Sequence, residues 1–197
     1  MEKTVTEKPK LLLHSCCGPC STAVVERLAD DYDISLFFYN PNITDREEYE
    51  KRLTAQRQFL QCYNSENEGN IIRLIEGEYN PDCFYEAVKG LEDEPEGGAR
   101  CSECIRLRLK RTSEKAENEG FVYFGTTLSV SPHKNHSLIC QIGSEFIRNS
   151  NLRFIEDDFK KKSGFRRSVE LSGKYGLYRQ RFCGCEFSNT ERGASKK

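Results

Sequence analysis

Seven of the ten cysteines in this 197-residue chain fall in three tight groups: Cys16, Cys17 and Cys20, then Cys101 and Cys104, then Cys183 and Cys185. Thiolates are the preferred ligands of soft metals and of iron–sulfur clusters, and a site needs about four of them. Closely spaced pairs deliver them with little chain-ordering cost. Seven ligands exceed one tetrahedral site, so the pattern points to a metal centre with thiolates to spare. Cys62, Cys83 and Cys140 stand alone and read as small buried apolar side chains.

Each group allows more than one chemistry. Cys17-Gly18-Pro19-Cys20 has the form of a dithiol redox site, in which Cys17 would attack and Cys20 resolve. A directly preceding Cys16 and two further groups left without a role argue against a thioredoxin-like oxidoreductase. Cys101-Ser102-Glu103-Cys104 opens a helical stretch, which puts both thiols on one face of its first turn. Cys183-Gly184-Cys185 places a glycine where the backbone must turn sharply. A zinc-only RNA-interaction module would need just four of the seven thiolates.

Something must position these groups. Short apolar runs at Leu11 to Ser15, Ile34 to Tyr39, Ile71 to Glu76, Val122 to Gly125 and Leu152 to Ile155 read as buried strands. Helices are expected over Thr22 to Asp30, Asp45 to Cys62, Asp82 to Val88, Cys101 to Glu119 and Asn135 to Asn149. That alternation predicts an α/β fold with a doubly wound, mostly parallel sheet, because parallel strands need crossover helices. Such sheets bind ligands at the carboxyl ends of their strands. Cys16 to Cys20, Tyr39 to Asn42 and Gly125 to Thr127 should therefore meet at one edge, with the first thiols at a helix N-terminus that favours thiolate.

The length suits one domain, expected over residues 11–188, with flexible segments at 1–10 and 189–197. The N-terminal stretch lacks an apolar signal core and no run is long enough to span a membrane, so a cytoplasmic protein is expected, where cysteines serve as ligands rather than disulfides. Net charge is -1, which gives no overall signal for nucleic acid. Locally, Arg153 to Arg181 holds nine Lys/Arg against four Asp/Glu. This basic stretch is either a solvated helix face or a phosphate-contacting surface.

Several motifs, in order along the chain, carry a resemblance: His14 to Cys20 (HSCCGPC), Tyr39 to Ile43 (YNPNI), Cys101 to Leu107 (CSECIRL), Thr126 to Leu128 with Ser131 to Lys134 (SPHK), Asp158 to Lys161 (DFKK), and Tyr178 to Cys185 (YRQRFCGC). Together they resemble the QueH type of epoxyqueuosine reductase. The resemblance implies a fold similar to HUP-class nucleotide-binding proteins. It also implies cobalamin-independent reduction of epoxyqueuosine at the wobble position of tRNA to queuosine, and a 4Fe-4S cluster beside a second, mononuclear metal ion, with iron the first choice. The implied partners are tRNA carrying epoxyqueuosine and an electron donor such as a ferredoxin or flavodoxin; no membrane is involved.

On that footing Cys17, Cys101, Cys104 and Cys183 are expected to hold the cluster, and Cys16, Cys20 and Cys185 the second ion. Turning an epoxide into an alkene and water takes two electrons and two protons, so a proton donor is needed near the departing oxygen. His14, Asp158 and Tyr178 are the candidates, although His14 reads equally as a structural imidazole and Asp158 as a helix cap or a partner of Lys161. A wobble base must be splayed out and its backbone held by cations. Tyr39, Asn40, Asn42, Thr126, Thr127, Ser131, Lys134, Arg166, Arg167, Arg179 and Arg181 are the expected contacts, each with an alternative as turn former, cap or solubilising charge.

Overall fold

The computed structural model describes residues 7–148 and 150–188. The expected C-terminal segment 189–197, residues 1–6 of the N-terminal one, and Asn149, the expected end of a helix, lie outside the described residues. Five strands, β1 (Lys10–His14), β2 (Asp33–Phe38), β3 (Arg73–Glu76), β4 (Tyr123–Thr126) and β5 (Arg153–Phe154), form one sheet in the order β3-β2-β1-β4-β5. Every pairing is parallel. Central β1 is buried on both faces, with Leu11, Leu12 and Leu13 fully shielded from solvent, as the near-continuous apolar run requires.

Helices cover the two faces; those that matter here are α1 (Gly18–Leu28), α2 (Arg46–Glu66), α3 (Asp82–Ala87), α4 (Ala99–Asn118), α5 (His136–Glu145) and α6 (Gly164–Lys174). Local chemistry explains their starts. Asp45 accepts from the Glu47 amide at the head of α2, and Asn135 accepts from the Leu138 amide at the head of α5. Pro19 sits in the first turn of α1, so that helix begins at Gly18, earlier than expected, and takes Cys20 into its first turn. A Cβ on Gly18 would lie 2.4 Å from the Ala55 carbonyl oxygen, so only glycine lets α1 pack this closely on α2.

The strand assignments agree with the sequence expectation to within a residue or two, and α6 is the element that expectation lacks. Its buried face is built from Gly164, Ser168, Leu171 and Ser172, small or polar apart from Leu171, while the apolar Phe165 and Val169 are exposed. The chain runs β1, β2, β3 outward, then returns to place β4 on the other side of β1. His14 is level with Phe37 of β2 and with Thr126 of β4, so the segments that follow these strands open at one edge. This is the switch point where doubly wound sheets hold their ligands.

Candidate metal centre

The first thiol group forms where β1 turns into α1. Cys17 caps the helix in extended conformation, and the three Sγ atoms of Cys16, Cys17 and Cys20 lie within 4.8 Å of one another. Cys16 and Cys20 face a cleft of about 200 Å³, whereas Cys17 is fully buried and accepts a 3.0 Å hydrogen bond from Gln180 Nε2. Hydrogen bonds from the Cys16 and Cys20 thiols, with the nearby Arg52 charge, hold Cys17 well below the usual thiol range. The same hydrogen bonds push Cys20 up, and Cys16 rises to about 11 through its contact with Cys17. A buried Cys17 gives the dithiol alternative no support, because an attacking thiolate must be reachable.

The second group is assembled from distant parts of the chain. Cys101 and Cys104 stand in the first turns of α4, and Cys183 and Cys185 come from the irregular strap after α6. All four line one small cavity with Phe84, Arg100, Arg108 and Lys134. Three of the sulfurs accept nitrogen donors: Cys101 from the Gly97 amide at 3.2 Å, Cys104 from Arg108 Nη2 at 3.4 Å, and Cys183 from Lys134 Nζ at 3.3 Å. Burial pushes the Cys183 thiol up, but Lys134 and Arg108 together outweigh it and leave the thiol below its ordinary value. Burial lifts Cys185 to about 12. Each group thus contains one thiol, Cys17 or Cys183, held toward the thiolate that binds metal.

The donor sets fit metals. An all-sulfur set of four with N–H donors on its sulfurs suits an iron–sulfur cluster, and three converging thiols suit a single ion with a position open. The grouping differs from the partition expected from sequence, because Cys17 sits with Cys16 and Cys20, and Cys185 with Cys101, Cys104 and Cys183. Spacing along the chain carried no information about which distant pair would meet which.

The strap that supplies Cys183 and Cys185 is held by Arg52 of α2. Its Nη1 and Nη2 donate to the carbonyls of Cys183 (2.9 Å) and Phe182 (3.1 Å), and its Nε donates to Glu48 Oε1 (2.7 Å). Glu48 also accepts from the Tyr178 hydroxyl at 2.7 Å. Arg52 and Glu48 are both buried. Gly184 has φ 115°, a left-handed conformation that fits the backbone between the two cysteines.

The other expected site residues divide between cleft and scaffold. Ser131, Lys134, Arg179 and Arg181 line the cleft; so do His133, Gln180, Phe165 and Phe182, which sequence reasoning did not select. Arg179 also donates to the Ser168 carbonyl and the Ser172 hydroxyl, and lies 5.7 Å from the Phe165 ring centroid. His14 lies under the cysteines, fully buried, with Nδ1 2.9 Å from Thr126 Oγ1 and Nε2 3.1 Å from the Tyr39 carbonyl. The Tyr39 carbonyl can only accept, so the imidazole proton sits on Nε2, and the Thr126 hydroxyl, which accepts from the Leu128 amide, donates to Nδ1. Burial, helped by the Arg108 charge, lowers its pKa to about 4. His14 ties the ends of β1, β2 and β4 together.

Tyr39, Asn40, Asn42, Thr126 and Thr127 are likewise buried scaffold at those strand ends. Asn40 donates to the Ser15 carbonyl at 2.9 Å, and the Tyr39 ring stacks on Phe37. Asp158 accepts from the Lys160 amide at 3.3 Å and pairs with the Lys160 ammonium at 3.9 Å, while Tyr178 is bound to Glu48 away from the cleft. Arg166 and Arg167 lie on α6 outside the cleft lining, paired with Glu170 and with Glu26 and Glu170. Cys62, Cys83 and Cys140 are half-buried rather than enclosed. Among the described residues no helix is long and apolar enough to cross a membrane.

Comparison with known proteins finds relatives along nearly the whole chain. A sequence model described as epoxyqueuosine reductase QueH matches residues 11–191. The chain is 41% identical over 193 residues to epoxyqueuosine reductase QueH of Staphylococcus epidermidis, covering 97% of this chain and 81% of that protein. It is 41% identical over 181 residues to the Streptococcus pyogenes protein of the same name, covering 92% and 71%. The Thermotoga maritima protein, also so named, is 36% identical over 185 residues, covering 92% and 91%. With a thiol-lined cleft at the switch point of a parallel sheet and a match along nearly its whole length, the chain belongs to the QueH family of epoxyqueuosine reductases.

Proposed function

We propose that this protein, acting in the cytoplasm as a single domain over residues 11–188, reduces the epoxide of epoxyqueuosine at the wobble position of tRNA to the alkene of queuosine. Two electrons and two protons are taken up and one water is released. The observation that carries the reading is that Cys16 and Cys20 of one thiol group and Cys183 of the other line the same cleft. A 4Fe-4S cluster on Cys101, Cys104, Cys183 and Cys185 would supply electrons singly, and an iron ion on Cys16, Cys17 and Cys20 would supply Lewis acidity.

The chain's own residues do the rest. Arg179 and Arg181 meet the phosphates flanking the splayed nucleotide, and Phe165 and Phe182 give its base a surface to stack on. Ser131 and Lys134 orient the polar edge. His133 lines the cleft and would give a proton to the departing oxygen in place of His14, Asp158 or Tyr178, which are not among its lining residues. Replacing His133 by Gln should lower turnover about 100-fold, with metal content and tRNA affinity unchanged; wild-type turnover would reassign the proton donor.

The function is tested with anaerobically purified protein, a chemical one-electron reductant and tRNA bearing epoxyqueuosine, the nucleoside being digested out and weighed. Loss of one oxygen supports the reading. A colourless zinc-loaded protein that binds this tRNA and leaves it unchanged would replace it by the zinc module. A ferredoxin or flavodoxin substituting for the chemical reductant would identify the class of donor.

A further inference from the structure

Arg108 is 2% exposed, inside α4 one turn after Cys104. Both of its side-chain hydrogen bonds are to Cys104: Nε donates to the carbonyl at 3.1 Å and Nη2 to Sγ at 3.4 Å. Among the described residues no carboxylate pairs with it, and the acidic groups that act on its charge are the thiols of Cys104, Cys183, Cys16 and Cys101. A buried guanidinium without a counter-charge costs several kcal/mol, so this cation is tolerable only where sulfur bears negative charge. Two further cations border these sulfurs: Arg100, which lines only the four-cysteine cavity, and Lys134, which has Glu96 4.0 Å away and also lines the cleft. Arg108 forms part of the wall between cleft and four-cysteine cavity and borders both.

We propose that Arg108 is a positioning residue that sets the reduction potential of the centre held by Cys101, Cys104, Cys183 and Cys185. The inference rests on the cluster proposed above. When a one-electron donor reduces that centre, its net charge becomes more negative by one, and a fixed cation against a ligating sulfur stabilises the reduced form more than the oxidised one. The position is set by helix geometry: Cys101, Cys104 and Arg108 follow at intervals of three and four residues and share one face of α4.

The test is a potentiometric titration with dithionite, followed by the cluster's absorption and paramagnetic resonance signals, on wild type, Arg108→Met and Arg108→Lys. Iron and sulfide are measured on each. Arg108→Met should keep the wild-type iron and sulfide, with the reduced-to-oxidised ratio at fixed potential falling at least tenfold, equivalent to about 59 mV for one electron. Arg108→Lys should stay within about threefold of wild type, since lysine keeps the charge. A loaded Arg108→Met with an unchanged potential overturns the proposal. Where Arg108→Met does not load, Arg108→Lys decides: loading at the wild-type potential supports a role for the charge, while failure to load or a tenfold shift overturns it. Wild type without iron and sulfide would instead defeat the cluster reading itself.

Discussion

The two thiol groups reach one cleft, through Cys16 and Cys20 and through Cys183, but are built in opposite ways. Cys16, Cys17 and Cys20 run from the end of β1 into the first turn of α1, so the strand that forms the centre of the sheet also forms the site. Cys101 and Cys104 meet Cys183 and Cys185 across about 80 residues of chain, through a strap with no regular structure of its own that is tied to α2 by Arg52. The first group should therefore persist as long as the sheet does. The second depends on a handful of side-chain bonds, and substitutions that cut them should separate the two.

The strongest separation should come from Arg52→Met. It strands Glu48 as a buried unpaired carboxylate and frees the Phe182 and Cys183 carbonyls, at a cost of about 3–5 kcal/mol. Chemical denaturation should report that loss, and sulfide should vanish from protein purified in its folded state while metal on the first group remains. Sulfide retained at the wild-type level would mean that the strap does not need its anchor. A pair of glycine variants sharpens the contrast. Gly18→Ala drives a Cβ into the Ala55 carbonyl and should cost about 1–3 kcal/mol, lowering the melting temperature and the occupancy of both groups together.

Gly184→Ala should cost about 1–2 kcal/mol for its left-handed backbone, and its Cβ would also lie 2.9 Å from Ile43 and 3.1 Å from Arg52 Nη1. Here sulfide content should fall more steeply than the melting temperature. Equal effects of the two glycine variants on both groups would dissolve the distinction. The smallest effects belong to α6, on the outer rim. Arg166→Ala should weaken tRNA binding a few-fold and reduce its salt slope by about one. Arg167→Ala should change that slope less, because its guanidinium already makes two bonds to Glu26. A larger change for Arg167 than for Arg166 would contradict this reading of the surface.

The same contrast governs what could be read in advance. The sheet was legible because Leu11 to Leu13 and the β2 run Ile34 to Phe38 are continuous and apolar, and buried parallel strands require just that. The N-terminal thiol group was legible because it is local. The meeting of distant groups was not, since nothing in Cys183-Gly184-Cys185 indicates which of two distant groups it will lie beside; Arg52, which ties the strap, lies on another helix and acts through backbone carbonyls. Asn40, Thr126 and Thr127 were expected in the site because they follow strands, and the strand ends bury all three. Ser168 and Ser172 look like surface residues in sequence and form the buried face of α6. Arg108 could have been found from its place on the helical face of Cys101 and Cys104, a position where a solvated charge is not expected.

The most direct measurement is anaerobic iron and sulfide content, with the absorption spectrum, of Cys17→Ala beside Cys185→Ala. The grouping of thiols predicts that Cys17→Ala keeps four sulfides and the cluster chromophore while losing the metal of the first group, and that Cys185→Ala loses sulfide and chromophore. Cluster retained in Cys185→Ala and lost in Cys17→Ala would contradict it and restore the partition in which Cys17 joins Cys101, Cys104 and Cys183.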